Sequence, residues 1–159
     1  MSICDLIVVM KDGVIQQIGA PQQVYDEPAN LFVAKFLGTP PINVFEGTVK
    51  NGTVYIGEDA VLEVSGVADQ DVVIGIRPEG FELDPNGALH CNMTNVEVMG
   101  RDVSIVSTHP ASVNPTIRSI IDADNKVDIT NATVNYSVKP HKFFIFNKET
   151  EERIYFEVK

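Results

Sequence analysis

Arg77 and Glu79 are the pair best placed in this chain for chemistry: a guanidinium able to clamp an anion and a carboxylate able to take a proton, within Gly75-Ile76-Arg77-Pro78-Glu79. Catalysis would also need a nucleophile or a histidine within reach, and none lies nearby in sequence. A structural role has the stronger case. Pro78 withholds an N–H and biases Arg77 toward extended backbone, so the apolar run from Val72 to Ile76 ends there as a strand. A guanidinium fixed at a strand end makes planar, multidentate contact with a carboxylate. The expected partner is Glu97, in Val96-Glu97-Val98-Met99-Gly100, or Glu79 itself. Gly100 suits a turn or bulge requiring positive φ, and Gly75 admits close approach to its strand.

Metal chemistry has little to build on. His90 beside Cys91 is the one Cys/His adjacency, and neighbours in a strand face opposite sides. Cys4 and Cys91 lie far apart without paired spacing, so reduced thiols are expected rather than a disulfide framework. The Asn-X-Thr triplets at Asn51, Asn92 and Asn131 matter only in a secreted protein, and no signal peptide marks this one. A net charge of −10, with twelve scattered lysines and arginines, argues against nucleic acid. Phe81, Tyr136, Phe143, Phe144 and Phe146 therefore read as core rather than as base-stacking platforms. No apolar run is long enough for a membrane-spanning helix.

The elements that would position these residues are mostly short strands. Alternation and turn signals predict them at 43–49, 53–56, 60–64, 71–76, 80–83, 89–98, 103–107, 127–129, 132–138, 143–146 and 154–158. Val134, Tyr136 and Val138 share one face, as in a half-buried strand. Asp12-Gly13 and Asn51-Gly52 are hairpin turns. Before the barrel-like region, the residues up to Pro21 read as strand, tight turn and strand. Pro21 then opens a short helix that Asp26-Glu27-Pro28 stops, and a second helix covers 30–37. That second helix is apolar around most of its circumference and needs cover on several sides; a missing neighbour would leave it inclined to self-associate. Segment 110–121 fits either a strand or one short helix. With no long crossover helices, the pattern favours a small barrel, or a pair of them, over an α/β sheet.

The opening run from Cys4 to Pro21, then Tyr25-Asp26-Glu27-Pro28-Ala29-Asn30-Leu31-Phe32-Val33-Ala34-Lys35-Phe36-Leu37-Gly38 and Pro40-Pro41-Ile42-Asn43, resembles the end of the nucleotide-binding domain in ATP-binding subunits of ABC importers. The likeness, nearest to the maltose and multiple-sugar branch, continues through Gly75-Ile76-Arg77-Pro78-Glu79 and Val96-Glu97-Val98-Met99-Gly100 into the segment from His141 to Ile154. The resemblance implies a mainly β fold: an OB-like (TOBE or MOP-like) small barrel preceded by a β-hairpin and two short helices. It implies a division into residues 1–38, the end of the nucleotide-binding domain, and 39–159, the regulatory barrel. Gly75, Arg77, Pro78, Glu79, Glu97 and Gly100 are its structural or regulatory motif residues.

The sequence contains no Gly-Lys phosphate loop, no LSGGQ-like signature, no paired acids for magnesium and no switch histidine, so this piece is not expected to hydrolyse ATP. ATP and magnesium would belong to the parent subunit, an ATPase, of which this chain would be the rear part. What the resemblance implies is a regulatory and dimerising region of a sugar importer's ATP-binding subunit, acting through protein contacts at the cytoplasmic face of the membrane. Its partners would be a second copy through the barrel, the membrane subunits and a regulatory protein. Leu6, where the family usually has Arg or Lys, and residues 108–121 depart from the pattern. The alternative reading is a barrel binding an oxyanion or other small ligand in an importer of a non-sugar solute such as glycerol phosphate, polyamine, sulfate or molybdate.

Overall fold

The computed structural model describes residues 6–38, 41–122 and 132–158. Cys4, Asn131, the proposed strand at 127–129 and the boundary residue Pro40 lie outside them. Asp12 and Gly13 both adopt positive φ (52° and 79°), which folds β1 (Ile7–Lys11) tightly onto β2 (Val14–Gly19). Pro21 occupies the first turn of α1 (Pro21–Asp26), where its missing N–H costs nothing. Asn30 caps α2 (Leu31–Phe36) by accepting the Val33 N–H at 2.9 Å, so this helix is shorter than expected by one residue at each end.

The remaining strands are β3 (Asn43–Lys50), β4 (Thr53–Ile56), β5 (Asp59–Ser65), β6 (Gln70–Ile76), β7 (Phe81–Leu83), β8 (Leu89–Met99), β9 (Asp102–Thr108), β10 (Ile117–Asp122), β11 (Thr133–Val138), β12 (Phe143–Asn147), β13 (Arg153–Ile154) and β14 (Glu157–Val158). All pairings are antiparallel, in a seven-stranded sheet ordered β13-β12-β6-β3-β4-β5-β14 and a five-stranded sheet ordered β10-β9-β8-β11-β7. The chain is thus mainly β, with a nearly closed five-strand barrel, two short helices and an OB-like character. Asn51 and Gly52 (φ 52° and 76°) make the β3–β4 turn, and Gly100 (φ 63°) makes the β8–β9 turn. Segment 110–121 resolves into a loop followed by β10, whose Ile117 and Ile121 are buried. The single strand expected at 154–158 is two, because its ends pair with opposite edges of the larger sheet.

Three apolar clusters explain the arrangement. The largest lies between the two sheets and takes Phe45, Ile74, Phe143 and Ile145 from one and Leu89, Ile105 and Tyr136 from the other. On the opposite face of the larger sheet, Val44, Phe144 and Phe146 pack with Leu31 and Ala34 of α2 and with Ile42. Successive side chains of β12 therefore enter different clusters, and the whole run from Phe143 to Phe146 is buried. A third cluster joins Val9 of the hairpin to Val24 and Val33 of the helices.

The cover expected around α2 is largely present, since Leu31, Val33 and Ala34 are buried while Phe36 faces outward. The uncovered apolar surface lies instead on the hairpin. Leu6, Val8, Met10, Val14, Ile15 and Ile18 are between 48% and 70% exposed. Register pairs Val8 with Ile18 and Met10 with Ile15, so these four and Leu6 share one greasy face, opposite the one that buries Val9, while Val14 pairs with Lys11 on the Val9 side.

Close packing fixes the separation of β3, β4 and β6. A methyl on Gly47 would fall 2.2 Å from Ile74 Cδ1 and 2.6 Å from the Tyr55 carbonyl oxygen, and a backbone atom cannot swing aside. Gly47→Ala is expected to lower stability by about 1–3 kcal/mol. Urea denaturation checks this as a lowered midpoint at constant slope.

Candidate functional site

Arg77 closes β6 and is fully buried, the largest such side chain among the described residues. Its backbone stays extended (φ −63°, ψ 150°) ahead of the 3-10 turn Pro78–Gly80, as the following proline dictates. The guanidinium crosses from barrel to helices: Nη1 donates to the carbonyl oxygens of Ala34 and Leu37, both at 2.8 Å, and Nη2 donates to that of Tyr25 at 2.9 Å. One side chain thus ties down the C-terminal ends of α1 and α2, where helix carbonyls lack intrahelical donors and the dipole favours a cation. Its plane also stacks on the Tyr25 ring, 4.0 Å from the centroid.

The expected ion pair of Arg77 with Glu97 or Glu79 is not what forms. No carboxylate among the described residues is in ion-pair contact with Arg77. Glu97 faces Arg118 across the five-stranded sheet (3.4 Å), on the exposed side. Glu79 accepts a hydrogen bond from the Tyr25 hydroxyl, so it supports Arg77 through the ring rather than directly. Sequence pairing favoured a carboxylate because buried cations normally take one; helix-end carbonyls are invisible until the helices are docked.

Lys142 completes the assembly. Its ammonium is 3.2 Å from Asp26 Oδ1, 3.9 Å from Glu79 Oε1 and 5.2 Å from the centroid of the Tyr25 ring. Burial, then the bond to Glu79, pushes the Tyr25 phenol upward, so it stays neutral and donates. Burial pulls the Arg77 guanidinium down, and the charges of Tyr25, Glu79 and Asp26 oppose that fall. Pro78 and Gly80 are buried beside it; a methyl on Gly80 would meet Lys142 Cβ at 2.8 Å. Gly75 admits Ile42, whose Cδ1 would lie 2.8 Å from a Cβ there, while Gly100 serves only the distant β8–β9 turn. The structure thus brings together Gly75, Arg77, Pro78 and Glu79 and leaves Glu97 and Gly100 elsewhere.

A second constellation escaped the sequence reading. Asp59, at the start of β5, accepts the His90 backbone N–H (3.0 Å), His90 Nδ1 (3.1 Å) and His109 Nε2 (3.0 Å). The His109 side chain is buried, edge-on to Phe45, and its Nδ1 accepts the Ala111 N–H at 3.0 Å. That bond assigns the proton to Nε2, which must donate to Asp59 and has no lone pair free for a metal. The cluster is a clasp between the two sheets. His90 pairs with this carboxylate, not with its neighbour Cys91, whose buried thiol is pushed up to about 12 by desolvation. Nothing in residues separated by 31 and 50 positions signalled this convergence.

The site therefore holds elements together; it presents no nucleophile activated by a base. A family model described as the CysA C-terminal regulatory domain matches residues 43–83, which include Gly75 to Glu79. The diacetylchitobiose uptake system ATP-binding protein MsiK of Streptomyces coelicolor is 31% identical over 97% of this chain and 47% of its own length. For the oligosaccharides import ATP-binding protein MsmX of Bacillus subtilis the figures are 35%, 93% and 44%. For the sn-glycerol-3-phosphate import ATP-binding protein UgpC of a Jannaschia species they are 30%, 97% and 43%. The chain spans less than half the length of these relatives.

Replacing Arg77 by Lys keeps a cation but loses the fork, stranding helix-end carbonyls; the expected loss is about 2–4 kcal/mol, read by chemical denaturation. A loss under about 0.5 kcal/mol would show that the fork is dispensable. Acid should weaken the clasp as well. Burial raises the Asp59 carboxyl, but the His90 N–H and the two imidazoles outweigh it and hold the group below its ordinary value of 3.8. With the folded value depressed, its stabilisation is present above 3.8 and lost as pH falls through the lower folded value. Asp59→Asn is expected to be less stable at neutral pH and to show a shallower loss of stability below about pH 4.

Proposed function

This chain belongs with the C-terminal regulatory region of ABC-importer ATP-binding subunits, and from that premise we propose that it acts by protein contact, as the regulatory and dimerising part of a sugar importer's ATP-binding subunit. Residues 1–38 are the end of the nucleotide-binding domain and residues 39–159 the regulatory barrel. The barrel pairs with a second copy and meets a regulatory protein, and the whole subunit, which binds ATP and magnesium elsewhere, sits on membrane subunits at the cytoplasmic face. By itself the chain hydrolyses no ATP.

The observation that carries this reading is the hairpin's outer face. Five large apolar side chains, Leu6, Val8, Met10, Ile15 and Ile18, lie exposed on it, and a surface of that kind serves contact. Its occupant is the nucleotide-binding core of the same subunit, a reading supported by relatives more than twice the length of this chain. Arg77 then transmits the position of the helices to the barrel through bonds too buried for water to compete. No helix among the described residues is long and apolar enough to cross a membrane, in keeping with a subunit held by others.

Sugar import is favoured by the names of the Streptomyces and Bacillus relatives. The second reading, a ligand-binding barrel in an importer of a non-sugar solute, draws on the sn-glycerol-3-phosphate importer among the relatives. Two clefts beside β5 and β14 offer no support for anion capture there, since their walls carry Glu63 and Glu157 and no lysine or arginine.

Titration calorimetry of the chain with sulfate, molybdate and sugars is expected to be silent at millimolar ligand, whereas a saturable anion isotherm would favour the second reading. Light scattering addresses the hairpin. The isolated chain should self-associate, and Val8→Asp with Ile18→Asp should reduce that association while circular dichroism stays unchanged. Undiminished association would remove the contact role of this face.

A further inference from the structure

Residues 151–158 connect places that no single strand reaches. Arg153 and Ile154 pair with Phe146 and Ile145 of β12 at one edge of the seven-stranded sheet, and Glu157 and Val158 pair with Ser65 and Val64 of β5 at the other. Only Tyr155 and Phe156 intervene. Three residue steps limit the separation of the Ile154 and Glu157 Cα atoms to about 11 Å. The sheet is therefore rolled until its edges nearly meet, and this segment crosses the seam.

The two ends of the crossing are held very differently. At the β13 end, the Arg153 N–H donates to the Ala29 carbonyl at 3.1 Å and the Leu31 N–H donates to that of Glu151 at 3.0 Å. Arg153 Nη1 lies 2.6 Å from Glu27 Oε2, and its guanidinium covers the rings of Phe144 (4.9 Å) and Tyr155 (4.6 Å). These partners sit in and beside the linker between α1 and α2, with Asn30 bridged to Glu152. The β14 end has two ladder pairs among the described residues, a long 3.5 Å bond from Ser65 Oγ to the Glu157 carbonyl, and exposed side chains. A cleft of about 360 Å³ flanks it on each side, one walled by Thr53, Leu62 and Val158, the other by Gly66, Tyr155 and Phe156.

We propose that residues 151–158 form a strap that couples the helix linker to the barrel seam, so that displacing the Glu27–Asn30 region from the sheet releases β14 from β5. The strong end follows the helices and the weak end yields, because local opening begins where the fewest buried contacts and ladder bonds must break. Phe156, half-buried against the inter-sheet core and edge-on to Phe143 at 6.1 Å, is the side chain such an opening would withdraw.

Hydrogen exchange read by mass spectrometry on the 159-residue chain tests the coupling. Arg153→Ala is expected to speed exchange in peptides covering 64–66 and 155–158 by roughly tenfold or more, while peptides from β8 and β11 stay at the native rate. Glu27→Gln, which touches only the helix side, should give the same pattern at smaller size. Ser65→Cys with Glu157→Cys, oxidised to a cross-link, should abolish the response to Arg153→Ala. Seam exchange that ignores Arg153 and Glu27 would overturn the strap, as would acceleration spread evenly over both sheets.

Discussion

A buried guanidinium paired with carbonyl oxygens instead of a carboxylate governs how this protein is put together. Removing Arg77 from water costs several kcal/mol, and no counter-ion among the described residues is in contact to offset that. Three charge-assisted bonds of about 1.5–3 kcal/mol each and a desolvated cation–π contact of about 2 kcal/mol are large enough to do so. They exist only if Tyr25, Ala34 and Leu37 present their carbonyls together, which requires both helices to be formed and docked. The barrel strand and the helix pair are therefore mutually dependent: moving either away leaves a buried charge or several helix-end carbonyls without partners.

The same dependence appears in the packing. Strand β12 sends Phe143 and Ile145 into the inter-sheet core and Phe144 and Phe146 toward α2. A barrel strand is normally dry on one side and wet on the other; this one is dry on both, so α2 is part of the barrel's own packing rather than an appendage. The Asp59 clasp does for the two sheets what Arg77 does for sheet and helices. In each case one ionised group, poorly served by water, gathers donors or acceptors from elements remote in sequence.

A contact-based role fits this architecture. Buried polar junctions join the helices to the barrel, with Arg77 Nε and Arg153 Nε left without a hydrogen-bond partner, while greasy surface is left on the hairpin face. What Gly75 to Glu79 contribute is geometry: a glycine thin enough to admit Ile42, an arginine fork, a proline that ends the strand, and a carboxylate that holds Tyr25. None of these groups needs to touch a substrate for its loss to be felt by a partner.

Much of the local structure was legible in the residues alone. Asp12-Gly13 and Asn51-Gly52 turn because those pairs tolerate positive φ; Pro21 and Asn30 start helices because they satisfy or remove orphan N–H groups; Val134 and Tyr136 face inward because strand side chains alternate. These are effects of short range. The partner of Arg77, the meeting of Asp59 with His90 and His109, the exposure of the hairpin's outer face and the splitting of 154–158 into two strands on opposite sheet edges were decided only by the tertiary fold. Each depends on which distant backbone atoms arrive at a given point, and neither periodicity nor propensity carries that information: Arg77 and Tyr25 are 52 residues apart, and no rule of local spacing predicts that one will hold the other's carbonyl.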